Sequence, residues 1–366
     1  MMGKYLDVQW VRYEMHFKTP ARTSRNTLTT KPSWLIRVRD DEGALGWGEC
    51  SIIPGLSPDE PALIESTLNR LKIRRQIDLT SIPHQLPALR FALEMAVLDL
   101  KTPGVFTAYS GDFSNGNRSL EINGLIWMDG PDGLIAQANR LIETGFKTLK
   151  AKVGTMPFEQ ELNWIRSVRS AAPNVTLRVD ANGAFSKSEL GWSPLDKLKA
   201  LAELGLHSIE QPLVADDHVG LAELCRISPL PIALDESLIG VMKDQQGELL
   251  DAVCPDYLVL KPSLLGGFSA SQYWISEAER RGIGWWVTSA LETNVGLNAI
   301  AQWTANGIQS ESKLMPQGLG TGALFTNNIS GPLDVKNGFL SASGNEEWEA
   351  PELGGASECL EANLSP

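Results

Sequence analysis

Six polar or charged residues recur through the middle of this chain at nearly constant spacing. They are Lys152, Asp180, Glu210, Asp235, Lys261 and Ser289, separated by 28, 30, 25, 26 and 28 residues. Each closes a short run rich in apolar residues: KTLKAK, TLRVD, HSIE, PIALD, YLVLK and WWVTS. A helical pattern follows each run, as in EQELNWIRSVRSA and SPLDKLKALAEL. The interval is therefore one strand plus one helix, and its repetition calls for parallel strands joined by crossover helices. From about residue 120 the chain holds seven or eight such units, which favours a closed (β/α) barrel over an open sheet. Strands buried on both faces read as continuous apolar runs, so a charge is tolerated only at their ends. Six polar groups at successive C-terminal strand ends converge on one face of a barrel, the face on which barrel active sites form.

The residue types on that ring define its chemistry. Asp180, Glu210 and Asp235 offer hard oxygen donors with no histidine or cysteine among them, a set suited to Mg²⁺, with Mn²⁺ as a possible substitute, rather than zinc. Three neighbouring carboxylates repel one another unless a cation neutralises them. Lys152 and Lys261 flank the set in sequence and would face each other across the closed barrel. A lysine beside a dication and a second lysine has a depressed pKa and can serve as a base. A dication on a substrate carboxylate stabilises the enediolate left when an α-proton departs. Taken singly, each residue has an ordinary reading: Asp180 in DANG as a turn, Glu210 as a helix cap. The joint pattern of Lys-x-Lys (Lys150, Lys152), Asp, Glu, Asp and Lys at strand–helix spacing does not.

The flanking segments differ. Residues 1–50 read as antiparallel β structure, with YLDVQWVRYEMHF and SWLIRVRD as strands and DDEG (40–43) as a turn into ALGWGEC. The polar stretch 18–32 reads as a long connector and a candidate mobile loop. A helix is expected after SPDEP with Ser57 as its N-cap and acidic residues in its first turn, and a buried one over 86–100. The resulting division is 1–118 as an α+β N-terminal module, 119–330 as the barrel and 331–366 as a segment packing back on the N-terminal module.

Composition excludes several classes of function. A net charge of −12 argues against nucleic acid or an anionic membrane surface as partner. No run of about 18 apolar residues and no basic-then-apolar leader is seen, so a cytoplasmic enzyme is expected. The four cysteines (Cys50, Cys225, Cys254, Cys359) are scattered and read as reduced thiols. His16, His84, His207 and His218 lack ligand spacing, and the Trp285–Trp286 pair reads as barrel packing. GLGTG (318–322) lacks the lysine of a nucleotide loop; after the seventh unit it suits backbone binding of an anion or a simple turn. Asn182 and Glu236 would orient the carboxylates beside them. Nothing in the sequence selects an oligomeric state.

These residues resemble the muconate-lactonising group of the enolase superfamily. KAK (150–152), DANG (180–183), EQP (210–212), DES (235–237) and KPS (261–263) are similar to its signature, and GWGEC (46–50) to its capping domain. The resemblance implies an α/β fold: a modified enolase-type (β/α)7β barrel under an α+β N-terminal capping domain. It implies that Asp180, Glu210 and Asp235 bind Mg²⁺, that Lys152 and Lys261 face a small carboxylate substrate, and that Lys150 assists electrostatically. INGLIW (122–127), SALETNVG (289–296) and QGLGTGALFTNN (317–328) are similar to stretches of the members that aromatise a cyclohexadiene carboxylate by syn dehydration in menaquinone biosynthesis. In that reaction Lys152 would be base and then acid, and Lys261 a cation over the ring. Ser289, Glu292, Gly320 and Thr321 would contact substrate, and Arg22 or Arg25 would close over its succinyl tail. The Asp-x-Asp motif of dipeptide epimerases is missing; N-acylamino-acid racemase or dipeptide epimerase activity is the same-fold alternative. A non-catalytic metal-binding barrel is the alternative of a different class.

Overall fold

The computed structural model describes residues 6–22, 27–102, 105–310, 312–344, 347–350 and 353. Strands β1 (Asp7–Arg22), β2 (Thr27–Arg39) and β3 (Leu45–Ser51) form an antiparallel sheet in that order. Alternation sends successive side chains to opposite faces. Trp34, Ile36 and Val38 pack under helices α1 (Pro61–Arg74) and α2 (Pro87–Asp99), whereas Leu35 and Trp47 join the core shared with the barrel. Helix α2 lies directly on β3 because Gly46 and Gly48 present no side chain. A Cβ there would stand 2.1 Å from the Ala96 carbonyl oxygen and 2.0 Å from that of Ala92.

Two expectations for this module are corrected. Helix α1 starts at Pro61 after Glu60, with no side-chain cap and no acid in its first turn. Proline at the first helical position needs no N–H partner, and Ser57 Oγ is occupied elsewhere, accepting from Ile53 N at 2.8 Å. The stretch 18–32 is mostly strand rather than connector: β1 runs on through a register shift between His16 and Ala21, pairing Ala21 with Leu28 and Arg22 with Thr27. Ladder hydrogen bonds require backbone, not apolar side chains, and the threonines of TLTTK suit a strand. Arg25 and the side chain of Arg22 lie outside the described residues.

After β4 (Ser119–Glu121) the chain alternates strand and helix: β5 (Gly124–Ile126), α3 (Pro131–Glu143), β6 (Thr148–Lys152), α4 (Phe158–Ala171), β7 (Thr176–Asp180) and α5 (Pro194–Glu203). It continues with β8 (Ser208–Glu210), α6 (His218–Ile227), β9 (Ile232–Leu234), α7 (Gln246–Val253), β10 (Tyr257–Leu260), α8 (Pro262–Leu265), α9 (Phe268–Glu279), β11 (Gly284–Val287) and α10 (Asn294–Gln302). Strands β5 to β11 form one parallel sheet in sequence order. Residues 317–318 close it, with parallel bridges from Gln317 to Ile122 and from Gly318 to Thr288. The fold is thus the (β/α) barrel with an antiparallel capping module, its eighth strand reduced to a short segment. Strands β12 (Asp334–Lys336) and β13 (Phe339–Ser341) return to pair with β4, and Trp348 stacks on Phe106, which stacks on Trp47 of β3. No helix among the described residues is long and apolar enough to cross a membrane.

The lower end of the barrel is plugged. Trp286, Ala233 and Val259 fill the interior, the Arg178 guanidinium lies 4.1 Å from the Trp286 ring centre, and His207 stacks on Tyr257. The upper end is left open for a site.

Candidate active site

Residues 150 and 152 share one face of β6, so both lysines point into the barrel while Leu149, Ala151 and Val153 pack outward in the core. Register then sets the neighbours: Lys152 pairs with Asp180, Asp180 with Glu210, and Glu210 with Ala233, two residues before Asp235. Lys150 Nζ lies 3.0 Å from Asp180 Oδ2 and 2.6 Å from Glu210 Oε2, and Lys261 forms an ion pair with Asp235. Asn182 Nδ2 donates to Glu236 Oε1 at 2.8 Å, and Asn182 N to Asp180 Oδ1 at 2.9 Å. The structure therefore brings together Lys150, Lys152, Asp180, Asn182, Glu210, Asp235, Glu236 and Lys261.

Sequence reasoning missed Gln211. Its backbone takes a left-handed φ of 43°, and its buried amide oxygen accepts from Asp235 N and Ser237 N while its nitrogen donates to Ser237 Oγ and Leu213 O. One side chain thereby ties the end of β8 to the end of β9. The signal was a glutamine following a strand-end glutamate, which reads as an ordinary loop residue.

Above these groups opens a cavity of about 400 Å³. Lys150, Lys152, Asp180, Asn182, Glu236 and Lys261 line its floor, with Glu210 and Asp235 buried just beneath. Ser289, Gly318, Gly320 and Thr321 form one wall, and Ser289 Oγ meets Thr321 Oγ1 at 2.5 Å. Ile53, Pro54, Gly55 and Leu56 of the capping module cover the mouth. Glu292, expected at the substrate, does not line the cavity. It is wholly buried behind the wall, accepting from Ser263 Oγ at 2.6 Å and Ala290 N at 2.7 Å, because the chain turns at Leu291 (φ 64°).

The lysines differ in electrostatics. Burial pulls the Lys152 amine below the ordinary lysine range, only partly offset by Asp180 and Glu236. Burial acts on Lys261 too, but Asp235, Glu210 and Glu236 outweigh it and hold that ammonium above its ordinary range. Lys150 is raised in the same way by Asp180 and Glu210. Asp180 drops to about 2 against its burial, under Lys150, Lys152 and Lys261. Glu210 moves well upward through burial and the Asp180 carboxylate, the direction expected of an anionic site short of positive charge.

Among the described residues no three acidic, histidine or cysteine side chains converge into a ready-made cage; the carboxylates are engaged by the lysine ammoniums. The donor chemistry nonetheless fits a hard dication. Three carboxylates stand at adjacent strand ends with no nitrogen or sulfur donor, and Glu210 Oε1, buried, has no hydrogen-bond partner.

The capping module reaches into the barrel behind the Ser289 wall. Glu49 accepts from Thr293 N at 2.8 Å, Thr293 Oγ1 at 2.6 Å and Gly296 N at 2.9 Å, satisfying two of the amides at the start of α10. Ser33 Oγ donates to the same carboxylate at 3.0 Å, and fully buried Lys31 hydrogen-bonds Ser51 beside it. Glu49→Ala would strip the Thr293 and Gly296 amides of their acceptor and leave Lys31 without the buried carboxylate that most favours its charge. We expect a loss of about 3–5 kcal/mol, read as a lower urea midpoint, with Glu49→Gln losing less.

The description "Enolase C-terminal domain-like" belongs to the family model that matches residues 133–346. An o-succinylbenzoate synthase from Desulfotalea psychrophila is 42% identical, over 92% of this chain and 99% of its own. The crystal structure of MenC from the same organism superposes with a TM-score of 0.81 at 39% identity, covering 92% of this chain and 99% of that one. An L-Ala-D/L-Glu epimerase from Bacillus subtilis is 28% identical over 83% of this chain and 85% of its own.

Proposed function

Because the chain belongs to the enolase C-terminal domain-like family, we propose that it acts as an o-succinylbenzoate synthase. It would convert 2-succinyl-6-hydroxy-2,4-cyclohexadiene-1-carboxylate to o-succinylbenzoate and water, a step of menaquinone biosynthesis. The observation that carries the reading is the pair of lysines on one cavity floor, Lys152 shifted toward the free amine and Lys261 held as the ammonium. Sharing of the dehydratase's sequence over nearly the whole chain supports the choice of reaction.

Asp180, Glu210 and Asp235 are the residues that would hold Mg²⁺, or Mn²⁺ in its place, oriented by Asn182, Glu236 and Gln211. Once bound, the dication supplies Lewis-acid stabilisation of negative charge on the substrate carboxylate. The chain's own residues do the rest. Lys152 takes the proton from the ring carbon bearing the carboxylate, and that electron pair moves into the carboxylate as an enediolate. The pair returns to expel the hydroxyl from the adjacent carbon. The Lys152 ammonium gives its proton to the departing oxygen, so water leaves and the ring becomes aromatic. One lysine serves twice because both bonds break on one face. Lys261 keeps its charge beside the enediolate and over the ring. Lys150 holds Asp180 and Glu210 together. Ser289 and Thr321 share one hydroxyl proton between them, leaving a second to donate into the cavity, with Gly320 allowing close approach of the backbone.

The reading keeps the protein in the cytoplasm, supported by free Cys50, Cys225 and Cys254; Cys359 lies outside the described residues. It is tested by mixing protein, Mg²⁺ and the cyclohexadiene carboxylate and following the ultraviolet change on aromatisation. Turnover should vanish on chelation and return with Mg²⁺. Racemisation of N-succinylamino acids and epimerisation of dipeptides, run alongside, should be slower by at least about 100-fold, a margin worth roughly 2.7 kcal/mol of transition-state binding. Turnover of a dipeptide without dehydration would replace the assignment by the epimerase reading, which the 28% identical relative favours.

A further inference from the structure

Among the described residues, the dehydration reading leaves one part of the substrate without a receptor, the carboxylate at the far end of the succinyl chain. The cavity floor is committed. Lys150 and Lys261 are held by Asp180, Glu210 and Asp235, and Lys152 stands at the reacting carbon. A fourth lysine lines the same cavity. Lys187 is exposed on the wall formed by Val214 and Ala215, seven residues beyond Asp180 in the chain.

Its root is rigid although its ammonium is in solvent. Lys187 closes the short 3-10 turn Ala184–Ser186, donating its N–H to the Ala184 carbonyl at 3.2 Å. Phe185 of that turn is buried to 1% exposure and donates its N–H to Pro212 O at 3.0 Å, and Ser186 Oγ accepts from Val214 N at 2.9 Å. The turn is thus fastened to the loop after β8, and Lys187 extends from a fixed point. Its ammonium also lacks a competitor. Glu189, the nearest acid along the chain, is taken by Lys197 at 2.6 Å and by Phe158 N at 2.9 Å. Among the described residues no acid pairs with Lys187. In a protein of net charge −12, an unpaired ammonium in the cavity wall is a local reversal of field that an anion would meet.

We propose that Lys187 is a specificity-determining residue that receives the distal carboxylate of the substrate, with the ring carboxylate on the acidic floor. The inference rests on the dehydration reading for the identity of that anion. Binding there is shared by substrate and transition state, so it acts on affinity rather than on the proton transfers.

The test compares wild type with Lys187→Met and Lys187→Arg. Lys187→Met should raise KM about tenfold with kcat within threefold of wild type, and Lys187→Arg should recover most of the loss. The wild-type advantage should shrink with added salt, since the pair is exposed. Binding is measured in parallel by calorimetry with o-succinylbenzoate and with the analogue in which a methyl replaces the distal carboxylate. Lys187→Met should weaken only the first. An unchanged KM, or equal weakening of both ligands, overturns the role of Lys187 while wild-type turnover still upholds the reaction. If wild type fails to dehydrate, the reaction is wrong, and the two-ligand comparison still decides whether Lys187 reads a distal carboxylate.

Discussion

Lys152→Ala should lower kcat by about 10⁴-fold, because in the proposed mechanism one side chain supplies both the base and the acid of the reaction. The floor holds no substitute. Lys150 is committed to Asp180 and Glu210, and Lys261 to Asp235, both as ammoniums that cannot take a proton. The variant should fold as wild type does, since Lys152 closes no ion pair among the described residues, and it should still bind o-succinylbenzoate. A loss of turnover with retained product binding separates chemistry from affinity. Turnover within about tenfold of wild type would remove Lys152 from the mechanism and send the assignment of base to another group.

Glu210→Gln should be nearly as damaging, through a different route. Glu210 is 2% exposed, its Oε1 has no hydrogen-bond partner, and its Oε2 meets Lys150. Replacing the carboxylate by an amide removes the central one of the three donors proposed for the dication. Loss of a residue that merely orients a ligand costs about 10–100-fold in metal affinity, so loss of a ligand should exceed that. Mn²⁺ titration followed by electron spin resonance reads the affinity without reference to activity. Activity at saturating Mg²⁺ then shows whether any catalysis survives. Unaltered Mn²⁺ binding in Glu210→Gln would strike it from the metal set.

The contrast between these residues and others shows what a sequence can disclose here. Lys152, Asp180, Glu210, Asp235 and Lys261 were legible because each interrupts an apolar strand where a bare core would reject it, and because the interruptions keep the period of the strand–helix unit. The barrel followed from the same rhythm. Glu292 misled because it continues the apolar run WWVTSALE; a left-handed turn at Leu291 carries it behind the wall, and no pattern of residue types announces that turn. The 18–32 stretch misled because polarity was taken for exposure, although Lys31 is fully buried. Arg178, an arginine inside an apolar strand, finds its partner in Trp286, which lies far along the chain on β11. Glu49 was invisible as a helix cap for the same reason, with Thr293 244 positions away. Local pattern reports the groups that break a strand, and says little about partners that only the closed barrel brings together.

The grip of Glu49 on the first turn of α10 bears on how enzymes of this architecture can be rearranged. A barrel cut free of its first hundred residues would leave the Thr293 and Gly296 amides at the start of α10 without their acceptor, at the point where the chain leaves the cavity wall. A barrel joined to a foreign cap would face the same deficit unless the incoming sheet placed a carboxylate at that one position. Gly46 and Gly48 add a second condition, since the foreign sheet must also accept its own helix at backbone contact. Exchange of caps between relatives is therefore not free recombination of two modules. The cap that tunes the mouth of the cavity must also bring the acid that finishes the barrel, so new substrate preferences are more accessible through changes at 53–56 than through replacement of the whole module.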